Sequence, residues 1–265
     1  LPLARKCPSL APPSEIHQGV SFSGAPVAIS DLAQPLSHSS ASERVTYLQR
    51  VLLYTLGGLS VSGAVGVVTA AFIYVLGSVA PGLVFNQLVM LGTILGSFAI
   101  AQYVAPRLVF GEQKLLGFGL AVVFQGVAMG YLLLSAIIMT LGDVPWLIGA
   151  ALALTASTGF GMVAYVWSKP REFSFIKAGL SAIGLPMLVL MGVSFVFPSL
   201  FGGPLGIVLS AVFVVVSAAG LLYQVNQVLH RLDTDMHIEG AYLITMGVLV
   251  LFWNILTLLM RLTRR

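Results

Sequence analysis

The chain has 265 residues, of which 58% are hydrophobic and only 8% are charged, and its mean hydropathy is +0.99. A soluble domain has roughly 25% charged residues, so this composition excludes an ordinary globular protein and predicts a polytopic membrane protein. The net charge of +4 comes from Lys and Arg residues scattered in ones and twos between apolar runs, a pattern typical of membrane topology signals and not of nucleic-acid binding.

Residues 1–44 form a polar segment rich in Ser, Pro and Ala, without a stretch long enough to span a bilayer. The first residue is Leu1 and not Met, which indicates a removed leader or a longer precursor. A segment with no core of its own is a flexible tail unless something holds it. We therefore expect this tail to be bound by a partner, and residues 45–265 to form the membrane domain.

Seven apolar segments follow, each near the ~20 residues that a helix needs to cross a bilayer. They lie at Tyr47 to Ala80, Val84 to Ala105, Leu115 to Leu141, Pro145 to Trp167, Phe175 to Phe197, Pro204 to Leu229 and Ala241 to Met260. Pro145 and Pro204 fall at helix starts, where a missing N–H is harmless. Pro186 falls inside the fifth segment and predicts a kink. The sequence thus predicts an all-α protein with seven transmembrane helices.

The loops differ in charge between the two sides of the membrane. One side has no Lys or Arg in its loops, and the other carries Arg44, Arg50, Arg107, Lys114, Lys169, Arg171, Lys177 and Arg231. The positive-inside rule places the N-terminus and these basic loops on the cytoplasmic or matrix side. Arg261, Arg264 and Arg265 then lie on the wrong side, so six crossings with one re-entrant segment stays an open alternative.

Two glycine pairs, Gly92 with Gly96 and Gly126 with Gly130, have the spacing that lets helix backbones approach closely in a bilayer. Both pairs are candidates for helix contacts within the bundle.

The ionisable residues argue against transport and catalysis. All nine acidic residues lie outside the seven segments, and so do the lysines apart from Lys177, the third residue of the fifth segment. Ion paths and proton relays usually need ionisable groups inside the membrane. No metalloprotease, P-loop or nucleophile-elbow motif occurs in the sequence. We expect a non-enzyme without a cofactor, with bound membrane lipids left open.

The stretch "HRLDTDMHIE", His230 to Glu239, contains two histidines and three carboxylates. A calcium loop of the EF-hand type needs another order and a glycine at its turn. We interpret the stretch as a solvated loop and predict no metal site.

Amides are the main polar groups inside the segments. They are Gln102, Gln125, Gln224, Asn226, Gln227 and Asn254. Gln224 and Gln227 share a helix face, and Asn254 and Thr257 share another. These amides either bridge the last two helices by hydrogen bonds, which we favour, or line a path for water.

Three stretches resemble one family, the transmembrane Bax inhibitor motif proteins. "YVWSKPREFSFI" resembles the junction after the fourth helix, and "LLYQVNQVLHR" resembles the end of the sixth helix, usually Leu-Tyr-Asp. "LVLFWNILTLLMRL" resembles the seventh helix, usually Leu-Tyr-Leu-Asp, two hydrophobic residues and Asn-Leu. The resemblance covers about residues 45–262 and implies a seven-helix bundle.

The resemblance also implies a pH-responsive calcium leak, in which an aspartate on the sixth helix and one on the seventh share a proton. Those positions match Gln224 and Asn254 here, and Arg107 matches a basic residue that pairs with the first aspartate. An amide can keep the closed contact but cannot open it by losing a proton.

The leading functional prediction is therefore an accessory or structural subunit of a larger membrane complex, with lipids and other membrane subunits as partners. A slight preference goes to the mitochondrial inner membrane over a bacterial inner membrane. The alternative is a calcium-permeable leak channel with reduced pH sensitivity. Regulation of a membrane protease or of cell death through binding, which the resemblance implies for some members of the family, is a third class and has no motif of its own in this sequence.

Overall fold

The computed structural model describes residues 41–84, 86–140, 144–168 and 203–263. The predicted tail up to residue 40, the fifth apolar segment with its Pro186, and Arg264 and Arg265 lie outside these ranges. The described part consists of eight α-helices and one π-helical turn. They are α1 (Ala41–Val79), α2 (Pro81–Val84), α3 (Gln87–Ala99), the π turn (Ile100–Val104), α4 (Ala105–Val109), α5 (Lys114–Thr140), α6 (Val144–Ser168), α7 (Gly203–His230) and α8 (His237–Thr263).

Six helical spans of this part are long and apolar enough to cross a membrane. Five of them are single helices, and the sixth, Gln87–Val109, joins α3, the π turn and α4. Each span overlaps one of the predicted apolar segments. The ends differ most at α1, which begins at Ala41 and runs unbroken for 39 residues. At 1.5 Å per residue α1 is about 58 Å long and extends well beyond the hydrocarbon core.

Two helices form the centre of the bundle. About half of the most apolar window is buried in α5 (56%) and α8 (50%), against less than a quarter in the other four spans. Helix α8 packs against α1, α5, α6 and α7. Its buried side chains include Met246, Leu251 and Leu256. The outer helices shield α5 and α8 and turn their apolar faces to lipid.

Tryptophans mark the ends of α6. Trp146 and Trp167 are exposed by 78% and 65%, and the 20 residues between them place their Cα atoms about 32 Å apart along the helix. Tryptophan prefers the interface between lipid and water. This separation matches a hydrocarbon core of about 30 Å, so α6 has the length and the end residues expected of a single crossing.

A proline explains the π turn. In an α-helical register the ring of Pro106 would clash with the carbonyl four residues earlier. The chain instead widens by one residue, and the N–H of Ala105 donates to the carbonyl of Ile100. In that register the carbonyl of Ala101 would receive the N–H of Pro106, which proline lacks. The hydroxyl of Tyr242 in α8 donates to this carbonyl at 3.0 Å. Tyr242 therefore supplies the donor that the proline removed.

One of the two glycine pairs lies at a helix contact. A Cβ on Gly130 would lie 2.6 Å from Cβ of Thr69 in α1, and a Cβ on Gly126 would lie 2.8 Å from the Ser62 carbonyl oxygen. These glycines let α1 and α5 pack closely. A Cβ on Gly92 or Gly96 would meet no described atom within 4 Å, so a helix contact at this pair stays a prediction.

Candidate functional site

The amide of Gln224 lies at the contact between α7 and α8. Its Oε1 is buried without a hydrogen-bond partner among the described residues. The amide rests against Gly247 so closely that a Cβ there would overlap Oε1 and would lie 2.8 Å from Cδ1 of Leu221. Glycine at 247 thus makes room for the glutamine, and the two helices meet at this point.

Asn254 lies elsewhere on α8. Its Nδ2 donates to the carbonyl of Val250 in the same helix at 3.0 Å. Seven residues separate Asn254 from Gly247, which is two helical turns or about 10 Å along the axis. Within the described part of the chain, Gln224 and Asn254 form no hydrogen bond with each other. The described residues therefore show no hydrogen bond that joins the two predicted positions.

The seventh-helix pattern of the family can be aligned with α8 in two ways. Its acidic residue precedes its asparagine by three positions. With Asn254 aligned on that asparagine, the acidic position falls on Leu251, which is fully buried and one turn from Gly247. The assignment of the acidic position to Asn254 requires a shift of three residues. That either position once held an acid stays a prediction.

The other predicted polar residues bond locally or remain unpartnered. Nε2 of Gln227 donates to the hydroxyl of Tyr223 at 3.0 Å, one turn earlier on α7. The hydroxyl of Thr257 donates to the carbonyl of Trp253 at 2.8 Å. Asn226 is 3% exposed, and its Oδ1 has no partner among the described residues. None of these bonds joins α7 to α8, so hydrogen bonding by Gln227, Asn254 and Thr257 does not bridge the helices as the sequence analysis favoured.

Two arginines have different surroundings. Arg107 lies in the last turn of α4 and is exposed, and no ion pair in the described residues includes it. Arg261, near the end of α8, donates from Nη1 to the carbonyl of Gly206 at 2.6 Å. That bond ties the end of α8 to the beginning of α7. Arg261 therefore has a structural role that does not depend on the side of the membrane at which α8 ends.

A charged cluster that the sequence did not predict lies at the beginning of α8. Glu239 was assigned to a solvated loop, but it lies in the first turn of α8 and is only 1% exposed. Its Oε1 pairs with Nζ of Lys114, at the start of α5, at 2.7 Å. The prediction of a solvated loop is wrong for this residue. The sequence did contain a signal for this position, since Glu239 comes just before an apolar run. An acidic side chain there is stabilised by the positive end of the helix dipole, so its presence indicates the first turn of a helix.

Tyr47 of α1 completes this cluster. Its ring is 2% exposed, and its hydroxyl is close enough to Gly240 that a Cβ there would lie 2.8 Å away. Both this hydroxyl and the second carboxylate oxygen of Glu239, Oε2, lack a hydrogen-bond partner among the described residues. The cluster joins the ends of α1, α5 and α8. The described residues include no group of three or more His, Cys, Asp or Glu side chains that could hold a metal ion.

A bundle of six described spans, with neutral amides at its α7–α8 contact and its charges at the helix ends, is a polytopic helical membrane protein. The family model "Inhibitor of apoptosis-promoting Bax1" matches residues 44–264. The chain belongs to this Bax inhibitor family, as the resemblance of its sequence to the family predicted.

Curated relatives are bacterial. The chain is 29% identical to an uncharacterized protein of Pasteurella multocida over 57% of this chain and 76% of the relative. It is 26% identical to the modulator of FtsH protease YccA of Escherichia coli (strain K12) over 83% of this chain and 95% of the relative. It has the same similarity to the inner membrane protein YccA of a second Escherichia coli strain. No solved structure is significantly similar to the chain.

Proposed function

We propose that this protein acts by binding other membrane proteins, as a non-catalytic accessory subunit of a larger membrane complex. The observation that supports this most directly is the position of the Gln224 amide against Gly247. A carboxyl group at such a contact could open it by losing a proton, whereas an amide does not titrate. The contact between α7 and α8 is then a fixed packing contact, as expected of a scaffold.

The partner that we propose is a protease complex of the membrane. The relative YccA is named a modulator of FtsH protease, and it aligns with 83% of this chain. Modulation by binding needs a stable scaffold and an accessible surface, and the outer helices expose large apolar side chains such as Phe72, Trp146 and Phe160. The polar residues 1–44 would contribute a second contact outside the bilayer.

The bacterial relatives favour a bacterial inner membrane, since one of them is named an inner membrane protein. The slight preference for the mitochondrial inner membrane came from the N-terminal tail, and these relatives do not support it. A cytoplasmic or matrix N-terminus remains a proposal from the charge distribution of the loops.

A degradation assay tests the binding proposal. The chain would be produced in Escherichia coli cells that lack YccA, and the half-life of a membrane substrate of FtsH would be measured with and without it. We expect the half-life to change, and a variant that begins at residue 45 to have a weaker effect. An unchanged half-life, together with migration of the gently solubilised protein as a free monomer, would refute the proposal.

The alternative function is a calcium-permeable leak with reduced pH sensitivity, and the unpartnered oxygens of Gln224 and Asn226 inside the bundle favour it. Calcium flux into liposomes that contain the purified chain, measured on either side of neutral pH, tests it. Gln224→Asp combined with Asn254→Asp should restore a pH-dependent leak if the bundle conducts. If the double variant only loses thermal stability, conduction is excluded and the scaffold function stands.

A further inference from the structure

Three hydroxyls lie along one face of α1, and none of them has a partner among the described residues. They belong to Tyr47, Thr55 and Ser62, which are at most 6% exposed. The spacings of eight and seven residues place them on the same side of the helix. The first and the last are about 22 Å apart along the axis. This face points into the bundle, towards α5 and α8.

The neighbouring helices add polar atoms at the same levels. Thr245 of α8 is fully buried, and its Cγ2 would lie 3.2 Å from a Cβ on Gly58, one turn after Thr55. Gln125 of α5 is 1% exposed, and it precedes Gly126, which lies against the backbone of Ser62. The hydroxyl of Thr245 and Oε1 of Gln125 also lack partners in the described part of the protein.

We call this set the inner seam. Its members are Tyr47, Thr55, Ser62, Gln125, Glu239 and Thr245. The seam begins at Oε2 of Glu239, next to Lys114, whose side chain is 40% exposed. One end of the seam is therefore close to water, and the other lies about 22 Å further along α1.

The chemistry of the seam demands hydrogen-bond donors. All of its unpartnered atoms are oxygens. Two of them, on Gln125 and Glu239, can only accept, and the four hydroxyls can donate as well as accept. Each such atom left unpaired inside a protein costs about 1–3 kcal/mol. Six of them would cost on the order of 10 kcal/mol, which is comparable to the whole stability of a typical protein.

Other buried hydroxyls in this bundle avoid that cost within their own helix. Thr155 donates to the carbonyl of Ala151 at 2.7 Å, and Ser210 donates to that of Gly206 at 2.9 Å. The seam hydroxyls form no such bond. A small molecule that both donates and accepts satisfies this set, and buried water has that role in proteins.

We propose that the inner seam is a water-binding site, in which ordered water molecules enter beside Glu239 and bind the oxygens of α1, α5 and α8 as far as Gln125. The site is separate from the α7–α8 contact at Gln224. It gives the bundle a hydrated inlet from one side of the membrane, and the observations that support it do not depend on the proposed binding function.

X-ray footprinting of the full chain in lipid nanodiscs tests the proposal, because hydroxyl radicals formed from bound water oxidise the side chains beside it. Tyr242 is the matched control, since it is 4% exposed but its hydroxyl is bonded to the Ala101 carbonyl. We expect Tyr47 to be oxidised several-fold faster than Tyr242. Equal rates for these two buried tyrosines would overturn the proposal.

A second test replaces seam hydroxyls by methyl groups of the same shape. Thr55→Val and Thr245→Val should each lower the melting temperature and slow the oxidation of Tyr47, because they remove water ligands. Thr155→Val is the control, since its hydroxyl is equally buried but bonded within α6, and it should leave the oxidation of Tyr47 unchanged. A higher melting temperature in the two seam variants would show that the seam is dry and would refute the site.

Discussion

Tyr242→Phe should destabilise the protein through a single hydrogen bond. The hydroxyl of Tyr242 donates at 3.0 Å to the carbonyl of Ala101, and Ala101 is fully buried. Pro106 cannot supply the N–H that this carbonyl would otherwise receive, so the substitution leaves a buried acceptor without a donor. Such a group costs about 1–3 kcal/mol. We expect a loss of about 2 kcal/mol, or roughly 4–8 °C in melting temperature for a chain of this size.

A double-mutant cycle distinguishes this mechanism from a general packing effect. In Pro106→Ala the backbone regains an N–H near Ala101, whether the π turn persists or reverts to an α-helical register. Tyr242→Phe should then cost less than half as much in the Pro106→Ala background as in the native protein. Thermal unfolding in detergent, followed by circular dichroism, measures all four proteins, and Tyr103→Phe at an exposed position is the control. Equal costs in the two backgrounds would refute the reasoning.

Three further predictions concern the bundle contacts. Lys114→Met removes the partner of a buried carboxylate. Because Lys114 is 40% exposed, we expect the free energy of unfolding to fall by about 1–2 kcal/mol, less than for a fully buried pair. Adding Glu239→Gln should recover most of this loss, and a loss below about 0.5 kcal/mol in thermal unfolding would contradict the pairing. Gly130→Ala should lower the free energy of unfolding by about 1–3 kcal/mol, because the added methyl group overpacks α1 against α5. Gly96→Ala is the control and should be neutral or slightly stabilising, since its Cβ would meet no described atom within 4 Å. Equal effects of the two substitutions on chemical denaturation would argue against the contact. Gly247→Ala would overlap the glutamine amide on α7 and should lower the melting temperature by a few degrees, and a variant as stable as the native protein would show that the two helices are not in close contact there.

The site was predicted less well than the fold. The sequence singled out Gln224 as a polar residue near the end of its helix, and the structure places its amide against Gly247, while Asn254 bonds to the carbonyl of Val250. Glu239 was missed because its charge and its place beside other polar residues resemble a loop. Burial of Glu239 depends on Lys114, which lies 125 residues earlier in the chain and meets it only in the folded bundle.

The sequence by itself determined the membrane class, the family and the six described spans. The length of an apolar run is a local property of the sequence, and it must match the thickness of the hydrocarbon core. It also identified Gly126 and Gly130 as small residues, without choosing between them and Gly92 and Gly96. Only the tertiary structure decided which glycines meet another helix, which carbonyl Tyr242 satisfies and which carboxylate is buried. Each of these depends on the approach of residues that are far apart in the chain, and in a bilayer that approach is selected by close packing and by hydrogen bonds, not by hydrophobicity.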